Sequence, residues 1–255
     1  MQRFLVFLYG AVAYVLFLIT FLYAIGFVGN IGVPKAIDSG TPGDIWSSVG
    51  INCLLLSLFA VQHTIMARPG FKAWWTRFVP KSIERSTFVL FTCAVLGLMY
   101  WQWRPLPDPV WQITDPAGQA LMWALFALGF GIVLLSTFLI NHFDLFGLRQ
   151  VWMHLLAKAP APVKFRMTSL YRYVRHPLML GFLIAFWATP YMSMGHLLFS
   201  IMTTGYILAG IQFEERDLVK VHGEDYLDYR RRVPMLLPYR GAAESEEESR
   251  AHQAA

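Results

Sequence analysis

One stretch constrains the fold of this chain more than any other: Leu178–Phe213, 36 residues without an Asp, Glu, Lys or Arg. It opens directly after Arg175-His176-Pro177 and closes on Glu214-Glu215-Arg216-Asp217. About 20 apolar residues carry a helix across a hydrocarbon core of roughly 30 Å, so the run is long for a single crossing. Near its middle, Thr189-Pro190-Tyr191 and Ser193-Met194-Gly195 supply a turn: Pro190 has no amide proton to donate, and Gly195 tolerates unusual backbone. Ionisable groups are costly inside lipid, and they mark functional sites when they crowd a membrane boundary. A run that folds back on itself brings its two polar ends to the same face of the bilayer.

Four further segments lack charged side chains: Phe4–Val28, Ile45–Ala67, Ser86–Trp103 and Ala117–Asn141. The chain is 56% hydrophobic and only 15% charged, against about 25% charged residues in soluble domains. No alternating ten-residue segments of the barrel type occur, and in lipid the remaining solution is the helix. The expected fold is therefore all-α, a polytopic integral membrane protein. Its spans lie at about 4–28, 45–67, 86–103 and 117–141, with a C-terminal helical hairpin at 178–213. The total is five or six transmembrane helices, depending on whether the short arm 178–188 crosses fully. Phe4–Val28 exceeds the roughly 7–15 residues of a signal-peptide core and reads as a retained first helix. Cys53 and Cys93 fall inside spans and read as small buried hydrophobes. No CxxC or related ligand spacing is present, and no metal is expected.

Basic residues set the orientation. Arg68, Lys72, Arg77, Lys81 and Arg85 lie between the second and third spans, and Arg149, Lys158, Lys164, Arg166, Arg172 and Arg175 lie before the hairpin. Arg216, Lys220, Arg230, Arg231, Arg232 and Arg240 follow it, whereas the other two connections hold mixed charge. The positive-inside rule places both termini in the cytoplasm. Phe213, Leu218 and Val221 suggest a cytoplasmic amphipathic helix lying along the surface. Arg230-Arg231-Arg232 reads as a contact with anionic lipid headgroups, worth roughly 1 kcal/mol per charge, and no folded nucleic-acid module accompanies the basic loops. Residues 1–240 read as one membrane-embedded domain. Ala159-Pro160-Ala161-Pro162 is a stiff connector, Gly241–Ala255 a disordered polar tail, and His196, at the hairpin turn, an interfacial imidazole.

The residues able to carry chemistry lie on the cytoplasmic side. They are His63 in Gln62-His63-Thr64, Glu84-Arg85, Asn141-His142-Phe143-Asp144 with Arg149 and Gln150, Tyr171 to His176, and Glu214-Glu215 with Tyr226, Tyr229 and Arg230. A topology signal needs only Lys and Arg. It does not account for interleaved His, Asp, Glu and Tyr.

The order Tyr171-Arg172-Tyr173-Val174-Arg175-His176-Pro177, Gly181, Glu214-Glu215, Gly223, Tyr226, Tyr229, Val233-Pro234 resembles the C-terminal signature of the isoprenylcysteine carboxyl methyltransferase superfamily. Gln62 to Pro69, Trp74-Trp75-Thr76-Arg77, Glu84-Arg85-Ser86-Thr87 and Asn141 to Gln150 resemble its NnrU-like branch, in particular the members that methylate methanethiol to dimethyl sulfide. Met179 stands where the prenylcysteine enzymes carry a tyrosine, which points away from a prenylcysteine acceptor. The resemblance implies S-adenosylmethionine as cofactor, a small thiol as substrate and a bacterial inner (plasma) membrane as location. It also implies cofactor contacts from Tyr173, Arg175, His176, Pro177, Leu180, Glu214, Glu215, Tyr229, Arg230 and Gln150.

Methyl transfer from a sulfonium is an in-line displacement that draws on orientation and desolvation. A thiol acceptor adds the need to lose a proton, since the thiolate is the nucleophile. His63, His142, Asp144 and Arg149 are the expected catalytic residues: an imidazole to take the proton, Asp144 to orient it, Arg149 to stabilise the thiolate. Other readings remain open at this point. They are methylation of another thiol or a lipid-linked acceptor, a membrane binding or assembly role, and transport, although transport ordinarily places ionisable residues at mid-bilayer.

Overall fold

The computed structural model describes residues 1–158 and 169–239. The Ala159–Pro162 connector and the Gly241–Ala255 tail lie outside the described residues. The elements are α1 (Gln2–Gly29), α2 (Ile45–Ala67), α3 (Pro69–Trp75), α4 (Glu84–Gln102), β1 (Pro109–Gln112) and α5 (Pro116–Ile140). After them come α6 (His142–Leu145), α7 (Leu148–Leu155), α8 (Pro177–Trp187), β2 (Tyr191–Ser193), α9 (Met194–His222) and α10 (Glu224–Arg232). Among the described residues four helices, α1, α2, α5 and α9, are long and apolar enough to cross a membrane. The chain is an all-α integral membrane protein.

Three helices start on the end away from the basic loops, and each has a side-chain cap. Asp44 accepts from the Ser47 amide at 2.8 Å, Asp115 from Gly118 at 2.8 Å, and Ser193 from His196 at 3.0 Å. Such caps satisfy orphan amides and contribute about 1 kcal/mol each. Behind them sits an aromatic core of Phe27, Tyr100, Trp103, Phe126, Phe130 and Phe199, which joins α1, α4, α5 and α9. Asn52 on α2 is fully buried there. Its side-chain amide donates to the Arg104 carbonyl at 2.8 Å and its oxygen accepts from the Arg104 amide at 2.9 Å, closing the end of α4. Asn52→Ala orphans both backbone groups, and thermal unfolding in detergent is expected to show a loss of about 1–3 kcal/mol.

The hairpin is asymmetric. Its first arm, α8, has 11 residues and rises only about 16 Å, half of a hydrocarbon core. Extended backbone completes the path: β2 pairs antiparallel with β1, with Trp111 opposite Met192 and Gln112 opposite Tyr191. Non-helical backbone at membrane depth is tolerated where protein covers it and its polar groups are satisfied. Both conditions hold, because Thr189, Met192 and Ser193 are buried. The Ile113 amide donates to the Pro190 carbonyl at 2.8 Å, and Gly195 donates to Leu106 at 3.0 Å.

Arm α8 lies mainly against α5, and glycine is the reason. A Cβ on Gly129 would stand 2.7 Å from the Gly181 carbonyl oxygen, and one on Gly181 would stand 2.7 Å from the Gly129 oxygen. The two backbones touch, as small residues permit between membrane helices.

Two expectations change. Glu214–Asp217 does not begin a separate surface helix, since α9 runs 29 residues without a break to His222. It stops only at Gly223, whose φ of 58° favours glycine. The surface element is α10, which buries Tyr226 and Tyr229 and exposes Arg230 and Arg231. His196 is not interfacial. It is fully buried, with Nε2 bonded to the Phe186 carbonyl at 2.9 Å, because the extended arm folds over it. Cys53 and Cys93 are free and only half-buried.

Candidate active site

The two polar ends of the Leu178–Phe213 run meet. Pro177 starts α8, and the chain before it lies alongside the segment after α10: the Arg175 amide donates to the Pro234 carbonyl at 2.9 Å and the His176 amide to Met235 at 3.1 Å. Arg175 Nε donates to Glu215 Oε1 at 2.7 Å, and its Nη1 donates to the carbonyls of Arg230 and Val233. His176 Nε2 lies 3.1 Å from the same Glu215 oxygen, while its Nδ1 is 3.7 Å from Glu214 Oε2. Arg230 approaches the second Glu215 oxygen at 3.8 Å. Glu215 is buried and fully engaged, whereas the Glu214 side chain is 48% exposed. Glu214 is thus the carboxylate available to a ligand. Tyr229 is buried and donates to the Tyr171 carbonyl at 2.7 Å, holding the 3₁₀ turn Ser169–Arg172. Burial pushes its phenol pKa upward, and that of Tyr226 as well.

Beside this cluster is an apolar groove of about 260 Å³, lined by Ile132 of α5, Leu170, Tyr173, Val174, Pro177, Leu180 and Pro238. Three expected cofactor residues, Tyr173, Pro177 and Leu180, therefore share one cavity. Tyr173 is half-exposed, so its ring face is open to a partner.

The second expected cluster is arranged differently from its predicted roles. His142 is buried, its ring stacked on Phe138 at 4.1 Å between centroids. Its Nδ1 lies 2.8 Å from Thr137 Oγ1, and its Nε2 lies 2.8 Å from the Tyr14 hydroxyl. Burial lowers its pKa and so favours the neutral ring. Thr137 donates its one hydroxyl proton to the Leu134 carbonyl at 2.7 Å, so Nδ1 must carry the imidazole proton. Tyr14 then donates to Nε2, and both nitrogens are engaged. The structure does not bring Asp144 to the imidazole. Asp144 accepts from Asn141 at 2.7 Å and pairs with Arg149, so the two opposite charges meet each other. Gln150 donates to the Asp144 carbonyl at 3.1 Å, while its Oε1 is buried and has no partner among the described residues.

His63 stands apart from that cluster, between α2 and α4. Its Nδ1 is 3.3 Å from Thr92 Oγ1, and its ring lies 4.9 Å from Phe88 and 5.3 Å from Phe59. Arg85 sits over the same Phe88 ring at 4.8 Å. Arg68, five residues after His63, pairs with Asp217 at 2.9 Å and ties the end of α2 to α9. Tyr14 and Thr92 were invisible as site residues in the sequence, because each acts across a helix contact with no local pattern, and Thr137, five residues before His142, carries no motif that marks it. Among the described residues no cluster of three or more His, Cys, Asp or Glu is placed to hold a metal.

The family model for NnrU protein matches residues 52–212. The chain belongs to the NnrU family. That match spans α2 to α9 and includes His63, Arg85, Thr92, His142, Arg175 and His176, ending just before Glu214. Within the family, the chain is similar to a methanethiol S-methyltransferase of Mycobacterium tuberculosis, 56% identical over 94% of this chain and 98% of the relative. It is 52% identical to one of Crocosphaera subtropica, over 94% of each. Nurim of Mus musculus is 30% identical over 68% of this chain and 69% of its own length. No solved structure matches the chain.

Proposed function

We propose that this NnrU-family protein transfers a methyl group from S-adenosylmethionine to a small thiol, and that methanethiol is its acceptor and dimethyl sulfide its product. The observation that carries this is the 56% identity to a methanethiol S-methyltransferase across nearly the whole of both chains.

The residues fit the cofactor. Bound S-adenosylmethionine supplies an electrophilic methyl group on a cationic sulfonium, together with an amine, a carboxylate, ribose hydroxyls and adenine. The half-exposed Glu214 carboxylate suits the cation and the amine, and the orphaned, buried Gln150 Oε1 suits any hydroxyl or amine donor. Tyr173, Pro177 and Leu180 offer apolar walls to a flat ring. At about 260 Å³ the groove falls below the roughly 300–1,000 Å³ of a full ligand pocket, so it takes part of the cofactor and the polar cluster takes the rest. Arg175, His176 and Glu215 hold one another in place and give that cluster its shape; Arg230 and Tyr229 close it.

The chain's remaining tasks are to orient the thiol, to exclude water and to accept the proton that leaves sulfur, with His63 and His142 as the imidazoles in question. The basic loops support a site at the cytoplasmic face of a bacterial inner membrane, with both termini inside, and a contact of Arg230–Arg232 with anionic headgroups. The test uses purified protein in detergent with S-adenosylmethionine and methanethiol, measuring dimethyl sulfide in the headspace. Wild type forms product, while Glu214→Ala and His176→Ala lower turnover at least tenfold. Absence of product with wild type removes methanethiol as acceptor, and absence of cofactor binding removes the methyltransferase reading.

A further inference from the structure

The two histidines differ in one respect that decides which can act as a base. Each has a threonine at Nδ1 whose own proton goes to a carbonyl one turn earlier. Thr92 Oγ1 donates to the Phe88 carbonyl at 3.0 Å, just as Thr137 donates to Leu134. A threonine hydroxyl has a single proton, so in both pairs the imidazole must donate from Nδ1, and the lone pair is on Nε2. At His142 that lone pair is taken by Tyr14. At His63 it has no hydrogen-bond partner among the described residues, and the residue is partly buried rather than enclosed.

The surroundings of His63 suit a thiol that becomes a thiolate. Arg85 shares the Phe88 ring with it, and the Arg85 Nε is spent on the Leu145 carbonyl at 2.6 Å. Its Nη groups make no hydrogen bond among the described residues. Arg149, by contrast, is already paired with Asp144. Phe59 and Phe88 flank the ring, and Phe88 belongs to an apolar cluster with Met66, Val89 and Cys93, surroundings that favour a small uncharged sulfur compound over a charged thiol. Phe59 also touches Tyr206 of α9 at 5.7 Å, and α9 is the helix that carries Glu214. The helix that carries His63 is thereby packed against the helix that carries Glu214, and Arg68–Asp217 ties the same pair together.

We infer that His63 Nε2 takes the proton of the acceptor thiol, that Thr92 positions it by fixing the tautomer, and that Arg85 stabilises the thiolate; this rests on the thiol methyltransferase reading above. In the step, the S–H bond breaks, the proton moves to Nε2 and sulfur keeps the electron pair beside the guanidinium. Sulfur then forms its bond to the methyl group as the donor's bond to that carbon breaks, and the imidazolium releases its proton to water. His142 becomes a structural knot between α1, α5 and α6.

The experiment compares two acceptors, methanethiol and methaneselenol, the second being ionised at neutral pH and needing no base. With His63→Gln, turnover of methanethiol is expected to fall about 10²–10⁴-fold, the usual contribution of a general base, with a far smaller loss on methaneselenol. Thr92→Val shows the same preference at about tenfold, and Thr92→Ser restores it. These two variants keep the comparison available if His63→Gln does not fold, which cofactor binding reports. His142→Gln lowers both acceptors alike. Equal losses on both acceptors with the His63 and Thr92 variants, unchanged methanethiol turnover with His63→Gln, or an acceptor-dependent loss at His142 overturns the assignment. A wild-type enzyme inactive on both acceptors instead defeats the methyltransferase reading itself.

Discussion

Glu215→Ala abolishes cofactor binding and destabilises the protein by about 3–5 kcal/mol, the usual consequence of stranding one partner of a buried ion pair. The Arg175 and Glu215 side chains are 9% and 6% exposed. Removing the carboxylate strips a buried guanidinium of its counter-charge, leaving it neutral partners such as the carbonyls of Arg230 and Val233, and removes the acceptor of His176. Because Arg175 and His176 lead directly into α8, the loss also releases the start of that helix from α9. Thermal unfolding in detergent measures the stability term, and equilibrium binding of S-adenosylmethionine measures the site. Glu215→Gln keeps one acceptor and falls between wild type and alanine. Asp228→Ala is the contrast. Its pairs with Arg231 and Arg232 are at the surface, where such bridges contribute about 0–1 kcal/mol, so binding and stability stay near wild type. An equal effect from both substitutions contradicts the buried-pair account.

Gly181→Val has the second large effect, about 3 kcal/mol, at the upper end of what overpacking a tight contact costs. The new Cβ meets the Gly129 oxygen at 2.7 Å and the Val133 amide nitrogen at 2.9 Å, and neither backbone atom can rotate away as a side chain would. The helices α5 and α8 must separate, which pulls Leu180 and Pro177 from Ile132 across the groove. Unfolding temperature and cofactor affinity therefore fall together. Gly205→Val on α9 meets nothing within 4 Å and serves as the neutral control; if it destabilises as much as Gly181→Val, close backbone approach is not the cause.

Much of the architecture was legible because lipid imposes a one-dimensional rule. Charge-free segments become helices wherever they are long enough, and the ends of the 178–213 run had to return to one face. The meeting of Arg175-His176 with Glu214-Glu215 was legible for the same reason. The separate amphipathic helix at Phe213–Val221 was misread, because nothing in local hydropathy distinguishes a helix that stops at the surface from one that projects through it. The break is written only at Gly223.

The roles within the site were less legible. His63, His142, Asp144 and Arg149 look equivalent as polar residues at one boundary. Asp144 is held by its chain neighbours Arg149 and Asn141, and His142 by nearby Thr137 and by Tyr14 from the far end of the chain. Which lone pair is left over depends on contacts between α1, α5 and α6 and between α2 and α4. Residue type and spacing do not encode those contacts.

The amino-acid order by itself determined the class of the protein and the return of the two polar ends of the 178–213 run to one face, since each follows from the cost of placing charge in hydrocarbon; it overcounted the long apolar helices, expecting five or six where the described residues hold four. Only the tertiary structure decided that α8 is a half-length helix completed by extended backbone, that Gly129 and Gly181 bring α5 and α8 into contact, and which of two histidines keeps a free nitrogen. Those outcomes depend on hydrogen-bond partners and steric fits between segments remote in sequence, and such pairings exist only once the helices have packed.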